Sequence, residues 1–126
     1  MQAHPTPPAL LDPVAALRAN ATRLLGAWTN SGGRAGVAIA DLSITAAIVT
    51  TAGAVEIAVH GWDVAWSCGV HKPIPEALAE QLLPLSTLLV TDADRPTRFA
   101  APVQPPPSPT TADLLLAHLG RNPTPR

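Results

Sequence analysis

The sequence has few of the residues on which several common functions depend. It contains no Tyr, one Phe and one Cys, and only 13% of its 126 residues are charged. A single cysteine, Cys68, excludes an intramolecular disulfide and a paired Cys-x-x-Cys zinc site. Its apolar surroundings predict a buried thiol rather than a nucleophile. We therefore expect a protein of a reducing compartment, the cytoplasm.

Charge and long hydrophobic runs are also scarce. The formal net charge is -1 and the few Arg residues are scattered, so nucleic acid and anionic membrane surfaces are not expected as partners. The one membrane-like run, Leu42 to Val55, is shorter than the roughly 20 residues that a membrane span requires. The N-terminus lacks the basic start and apolar stretch of a signal peptide, so we expect no export.

Apolar residues at helical spacing predict the first half of the fold. Residues 1–9 are Pro-rich and predict an extended lead. A first helix is predicted from Pro13 to Trp28, because an Asp–Pro pair starts it and apolar residues recur every three or four positions. A long second helix is predicted from Asp41 or Ser43 to about Cys68. Thr and Val are frequent in it, so a strand pair is the competing local interpretation.

Two shorter helices are predicted in the second half. The third helix spans Pro75 to about Leu89, with a kink or interruption at Pro84. A last short helix is capped by Thr110-Thr-Ala-Asp and ended by Gly120. The predicted fold class is therefore all-α, with one helical domain over residues 10–123 and a tail of residues 124–126.

A polar stripe runs along the long helix. Glu56 and His60 lie four residues apart, and Asp63 and Ser67 continue on the same side within an arc of about 60°. Apolar residues flank the stripe, so these side chains are expected to face an interior cavity, where charge must be paired, protonated or metal-bound. The spacing allows a carboxylate and an imidazole to bind one divalent ion. An ordinary Glu–His pair satisfied by hydrogen bonds is the open alternative.

The segment around this pair resembles a known family. Glu56-Ile-Ala-Val-His-Gly-Trp-Asp-Val-Ala-Trp-Ser-Cys-Gly is similar to the metal-binding helix of DinB-like proteins related to mycothiol-dependent maleylpyruvate isomerase. Their motif is Glu-or-Asp-x-x-x-His-Gly-Trp-Asp-x-Ala, followed by a small residue and Gly. Weaker likeness lies in Arg23-Leu-Leu-Gly-Ala-Trp, Pro75-Glu-Ala-Leu-Ala-Glu and Leu114-Leu-Leu-Ala-His-Leu-Gly-Arg-Asn-Pro. The resemblance covers about residues 13 to 123.

The resemblance implies a metal-dependent function. Glu56 and His60 would bind a divalent metal, usually taken as zinc, and Asp63 would orient the His60 imidazole. The implied activity is that of a transferase or isomerase that activates mycothiol or a related thiol as co-substrate. Further candidates for the pocket are Ser67, Arg23 and Arg98, the two arginines as contacts for an anionic substrate. Trp66 is expected in the core, and a position in the pocket beside His60 is the alternative.

The chain departs from this family at its start. Family members carry two further helices in front, the second with another metal-binding His, and this chain begins where those helices would have ended. His4 and His71 are poorly placed to replace that ligand. The bundle is therefore expected to be truncated. Either its metal site is lost, or a homodimer with closely packed long helices completes it.

Two further functions stay open beside the metal-dependent one. The chain could be a metal-free small-molecule enzyme or ligand binder of a specialised pathway. It could also be a non-catalytic remnant with a binding or regulatory role. The metal content of the pure protein separates the first function from the other two, and the sequence names no substrate.

Overall fold

The computed structural model describes residues 12–31, 36–39 and 42–124. The fold is mainly helical, and its elements are α1 (Pro13–Ser31), β1 (Gly36–Ile39), β2 (Leu42–Thr45), α2 (Ala46–Ser67), α3 (Glu76–Leu89) and α4 (Thr111–His118). The chain divides into two compact units, residues 1–46 and 47–126. The predicted lead over residues 1–9 and the last two tail residues lie outside the described residues.

A strand pair replaces the predicted start of the long helix. Strands β1 and β2 pair in antiparallel fashion, with Gly36 opposite Thr45 and Ile39 opposite Leu42. Ile44 and Thr45 of β2 are β-branched and suit extended backbone, and helix begins only at Ala46. The all-α prediction therefore fails locally, and the strand interpretation is correct for this segment.

Helix α1 begins at the predicted cap and carries an exposed apolar stripe. Asp12 Oδ1 accepts a hydrogen bond of 2.9 Å from the Val14 backbone N–H, as expected of a helix N-terminus. The helix ends at Ser31, three residues beyond the predicted end. Its larger apolar side chains are exposed: Val14, Leu17, Leu24 and Leu25.

The hydrophobic core of the second unit lies between α2, α3 and α4. Helix α2 contributes one buried face through Val55 and Val59. The remaining buried apolar residues are Ile74, Ala79, Leu82, Val90, Ala112, Leu115, Leu116, Ala117 and Leu119. Because α2 places only one face on this core, its other faces are free to carry polar or uncovered apolar side chains.

Two sets of caps hold the N-terminus of the short helix α4. Thr110 and Asp113 form the predicted capping box, with Thr110 Oγ1 accepting from the Asp113 N–H at 3.1 Å. Glu76, the first residue of α3, accepts from the Thr111 N–H at 2.7 Å and from the Ala112 N–H at 3.3 Å. Hydrogen bonds from Thr111 are the main reason that the pKa of Glu76 lies below its ordinary value of 4.5.

Glycine is required where α4 ends. Gly120 has a φ of +78°, and a Cβ at this position would lie 2.8 Å from the Ala100 Cβ. Gly69, which follows α2, has a similar φ of +72° but nothing within 4 Å of its Cβ position. The two glycines therefore share a backbone conformation, and only Gly120 has a close neighbour.

Three local predictions have different outcomes. Cys68 is exposed rather than buried, because α2 ends at Ser67 and the thiol lies in the turn that follows. Helix α3 runs continuously across Pro84 and is not interrupted there. None of the helices in the described ranges is long and apolar enough to cross a bilayer, as predicted.

We predict that Gly120→Ala destabilises the fold more than Gly69→Ala. Both substitutions force an L residue into the left-handed region, at about 1–2 kcal/mol. Gly120→Ala adds overpacking against Ala100, at about 1–3 kcal/mol. The free energy of unfolding, measured by urea titration, checks the order. Equal losses in the two variants would contradict the close contact at residue 120.

We predict that Glu76→Ala lowers the melting temperature above about pH 4.5 and has a smaller effect in acid. The folded-state pKa of Glu76 is lowered, so the stabilisation is present above the ordinary value of 4.5 and is lost as the pH falls through the folded value. Thermal melts of both proteins across this range test the prediction. Glu80→Ala, on the same helix one turn later, is the control. A difference between wild type and Glu76→Ala that does not depend on pH would exclude this role of the carboxylate.

Candidate functional site

Glu56 and His60 meet on the second half of α2. The His60 Nε2 atom lies 2.9 Å from Glu56 Oε2, one helical turn away. Both residues belong to a helix that covers residues 46–67, so the predicted helical placement of the pair is confirmed. The pair follows directly from the i, i+4 spacing, because side chains four residues apart lie on the same side of a helix.

The pair lies at an open surface rather than in an interior cavity. The side chains of Glu56 and His60 are 53% and 62% exposed, whereas the adjacent Val55 and Val59 are buried. The expectation of an enclosed cavity is therefore wrong. Helical periodicity identifies residues that share a face, but it does not tell how many neighbouring elements cover that face.

Asp63 and Arg121 extend the pair into a network of four residues. His60 Nδ1 lies 3.1 Å from Asp63 Oδ2, so the structure brings these two side chains together. The Arg121 guanidinium donates to both Asp63 oxygens, from Nη2 at 3.0 Å and from Nε at 3.4 Å. We call Glu56, His60, Asp63 and Arg121 the site network.

The charge of Asp63 is stabilised within the site network. Partial burial acts to raise the pKa of Asp63, but the hydrogen bonds and positive charge of Arg121, together with His60, outweigh burial. The pKa of this carboxyl group is therefore below its ordinary value. Asp63 is ionised at neutral pH and can only accept hydrogen bonds, so a proton between Asp63 and His60 belongs to the imidazole.

A pocket of about 290 Å³ adjoins the site network. It has an apolar wall and a charged wall, and its lining residues are Val55, Glu56, Val59, His60, Arg98, Phe99, Leu119 and Arg121. Its volume is at the lower end of the range for small-molecule sites. The lining suits a small ligand that has one apolar part and one polar or charged part.

The structure brings only one of the four pocket candidates to this pocket. Arg98 lines it, with an exposed guanidinium 3.9 Å from the Asp94 carboxylate. Ser67 donates instead to the backbone carbonyl of Asp63 at 2.9 Å, within its own helix. Arg23 lies on α1, in the first unit, where it donates to Asn20.

Trp66 lines a second pocket, of about 170 Å³. Its ring stacks on Trp62 with centroids 4.9 Å apart, and its other neighbour, His71, makes an edge contact. The alternative that places Trp66 beside His60 is therefore wrong, since a position six residues further along a helix is rotated by about 240°. His71 also belongs to this second pocket, and His4 lies outside the described residues.

Arg121 is a site residue that no local sequence pattern predicts. It lies 58 positions from Asp63, so no spacing rule links the two residues. The weak signal available was its position directly after the glycine that ends α4, within the Leu-Gly-Arg-Asn-Pro part of the family resemblance. Phe99 and Leu119 were missed for the same reason, because they reach the pocket only through tertiary folding.

The site network satisfies two requirements of a divalent metal site. A nitrogen and a carboxylate oxygen 2.9 Å apart are close enough to share one ion at the usual ligand distances of about 2.0–2.2 Å. The other imidazole nitrogen is hydrogen-bonded to a carboxylate, as is usual for metal-binding histidines. Within the described part of the chain, however, no group of three or more His, Cys, Asp or Glu side chains is arranged to hold a metal.

Comparisons of the chain with protein-family models, with curated proteins and with solved structures give no match.

Proposed function

We propose that this chain is a DinB-like metal-binding protein in which Glu56 and His60 hold a divalent ion, and that it acts as a thiol-dependent transferase or isomerase. The observation that carries the metal site is the 2.9 Å approach of His60 Nε2 to Glu56 Oε2. The thiol chemistry rests on the resemblance of the Glu56–Gly69 segment to relatives of mycothiol-dependent maleylpyruvate isomerase.

The donor atoms favour zinc or a similar borderline ion. One imidazole nitrogen and one carboxylate oxygen suit zinc, and this set lacks the many oxygen ligands that calcium or magnesium requires. When bound, such an ion lowers the pKa of a coordinated thiol and so supplies a thiolate at neutral pH. In this site Glu56 and His60 would bind it, and Asp63 would keep the imidazole oriented.

The remaining pocket residues are suited to hold a small substrate. Arg98 places an exposed guanidinium beside the site pair, where it can bind a carboxylate or another anion. Arg121 lines the same pocket, but its guanidinium is held by Asp63 and the Leu119 carbonyl. Phe99 and Leu119 supply an apolar wall that shields part of a ligand from water. Arg98, Phe99 and Leu119 would orient a substrate next to the Glu56–His60 pair.

A metal-free function is the second candidate, and one observation favours it. Both nitrogens of His60 face carboxylate oxygens, at 2.9 Å from Glu56 and 3.1 Å from Asp63. The imidazole therefore has a carboxylate partner on each side without any ion. The protein would then bind a small anion in the same pocket through the exposed Arg98 guanidinium.

We expect zinc to bind the wild-type protein and His60→Ala to abolish that binding. The substitution removes the nitrogen ligand, and Glu56→Gln should strongly weaken binding because a neutral amide is a poorer ligand. Calorimetric titration of the metal-stripped protein with zinc, with elemental analysis, measures both effects. His71→Ala, which changes a histidine of the second pocket, is the control and should bind as wild type does.

Two results decide between the candidates. Unchanged zinc stoichiometry in His60→Ala would exclude this site as the metal site. No zinc binding by the wild-type protein would exclude the metal function and leave the metal-free candidate.

A homodimer is part of this proposal, because the site pair needs a further ligand. Helix α2 carries Ile57, Gly61 and Val64 on one exposed face, and Ile57 is 69% exposed. The half-buried Gly53 continues this face, and a Cβ at either glycine would meet nothing within 4 Å, so both allow close helix approach. This face directly adjoins Glu56 and His60 along the helix, so a second copy packed on it would bring further donors near the pair.

We predict that the wild-type protein is a dimer at micromolar concentration and that Ile57→Glu makes it monomeric. In the dimer the new carboxylate would be buried at the α2–α2 contact, which destabilises the dimer. In the monomer residue 57 is exposed, so the substitution leaves the fold intact. Multi-angle light scattering measures the mass, and circular dichroism checks the helix content. Leu88→Glu, at a 77% exposed position on α3, is the matched control and should stay dimeric. A monomeric wild-type protein would contradict this part of the proposal.

A further inference from the structure

Arg121 is held rigidly at the end of α4. Its backbone N–H donates to the Leu116 carbonyl at 2.8 Å, and its Nη1 donates to the Leu119 carbonyl at 2.8 Å. The rest of its guanidinium forms the two-bond contact with Asp63 described above. An arginine bonded to its own segment on one side and to α2 on the other has little freedom to move.

Asp63 Oδ2 is shared between Arg121 and His60. It accepts from Arg121 Nη2 at 3.0 Å and lies 3.1 Å from His60 Nδ1. Because an ionised carboxylate has no proton to give, a neutral His60 must carry its proton on Nδ1 for this contact to be a hydrogen bond. Nε2 is then unprotonated and can act as a ligand. Because its lone pair and the Glu56 Oε2 that faces it at 2.9 Å repel each other, the exposed Glu56 carboxylate must turn toward water or share a cation with Nε2.

Glu56 competes with Asp63 for the single proton of a neutral His60. If the proton moves to Nε2, this N–H donates a hydrogen bond to Glu56. Nε2, the imidazole nitrogen on the solvent-exposed side, then has no lone pair to bind a ligand. Glu56 is 53% exposed and is free to form hydrogen bonds with water, whereas Asp63 is fixed by the guanidinium. Because Asp63 is already fixed, it loses less conformational entropy than Glu56 when it accepts a hydrogen bond from the imidazole. This difference favours the tautomer with the proton on Nδ1.

We propose that Arg121 is a positioning residue for His60: by fixing Asp63, it keeps the imidazole proton on Nδ1 and leaves Nε2 free to bind. This inference rests on the proposed function in one respect, that the atom Nε2 binds is the proposed metal ion. It couples the end of α4 to α2, since the arginine that fixes the tautomer belongs to the segment after α4. Arg98 has no such role, because its ion pair is with Asp94.

The tautomer of His60 can be measured without any metal. Long-range proton–nitrogen correlation spectra of labelled protein in alkaline buffer, where imidazoles are neutral, distinguish the protonated nitrogen from the unprotonated one. The His60→Gln variant identifies the His60 signals. We expect the Nδ1–H form in the wild-type protein and a mixture of both forms, or the Nε2–H form, in Arg121→Gln. Arg98→Gln, which removes the other guanidinium of the pocket, should keep the wild-type tautomer.

Zinc affinity supplies the second readout. Loss of a residue that orients a metal ligand typically weakens binding by about 10- to 100-fold, and we expect Arg121→Gln to fall in this range. A purely structural arginine would lower the melting temperature and leave the tautomer of His60 as it is. That result would overturn the inference.

The inference and the proposed function fail in different ways. A wild-type spectrum with the proton on Nε2 overturns the role of Arg121 even if Arg121→Gln does not fold. Zinc binding that requires His60, together with an unchanged tautomer in Arg121→Gln, overturns the inference and leaves the metal site intact. Absence of zinc binding with the expected tautomer change overturns the metal function and supports the positioning role.

Discussion

The Glu76 carboxylate joins the first turns of α3 and α4, and the pocket residues on and after α4 depend on this contact. Helix α4 has eight residues, too few to be stable alone in water. Its N–H groups at residues 111 and 112 are satisfied by a side chain from another helix rather than by water. Core packing of Leu115 and Leu116 holds the rest of α4, and together the two constraints place Leu119 and Arg121 at the pocket.

The site network lies on the border between the buried and exposed faces of α2. Val55 and Val59 attach this helix to the core, and each directly precedes a residue of the proposed metal pair. The backbone under Glu56 and His60 is therefore held by packing, while their polar atoms remain open to a ligand. A rigid support beneath accessible polar groups is the arrangement that binding sites on helices require.

Sequence patterns within a few residues predicted the helices and the Glu56–His60 pair. They did not predict which other parts of the chain pack around these helices and this pair. The Asp12–Pro13 start, the Thr110–Asp113 capping box and the glycine after α4 each act within a few residues, so the sequence shows them directly. Glu56 and His60 follow from one turn of helix in the same way. The Asp63–Arg121 ion pair depends instead on how α2 and the segment after α4 pack, and no periodicity carries that information. The way the helices pack also determines three other features. These are the solvent exposure of the Glu56–His60 pair, the exposure of Cys68 and the second pocket around Trp66.

The contact between Gly120 and Ala100 restricts how this sequence can vary over evolutionary time. A side chain at residue 120 would need the space that the Ala100 methyl group occupies, and a larger side chain at residue 100 would meet the Gly120 backbone. The two positions are therefore expected to stay small together, although 20 residues separate them along the chain. Insertions and deletions in residues 101–109, which contain five prolines and precede α4, should then be accepted only where they preserve the contact between residues 100 and 120.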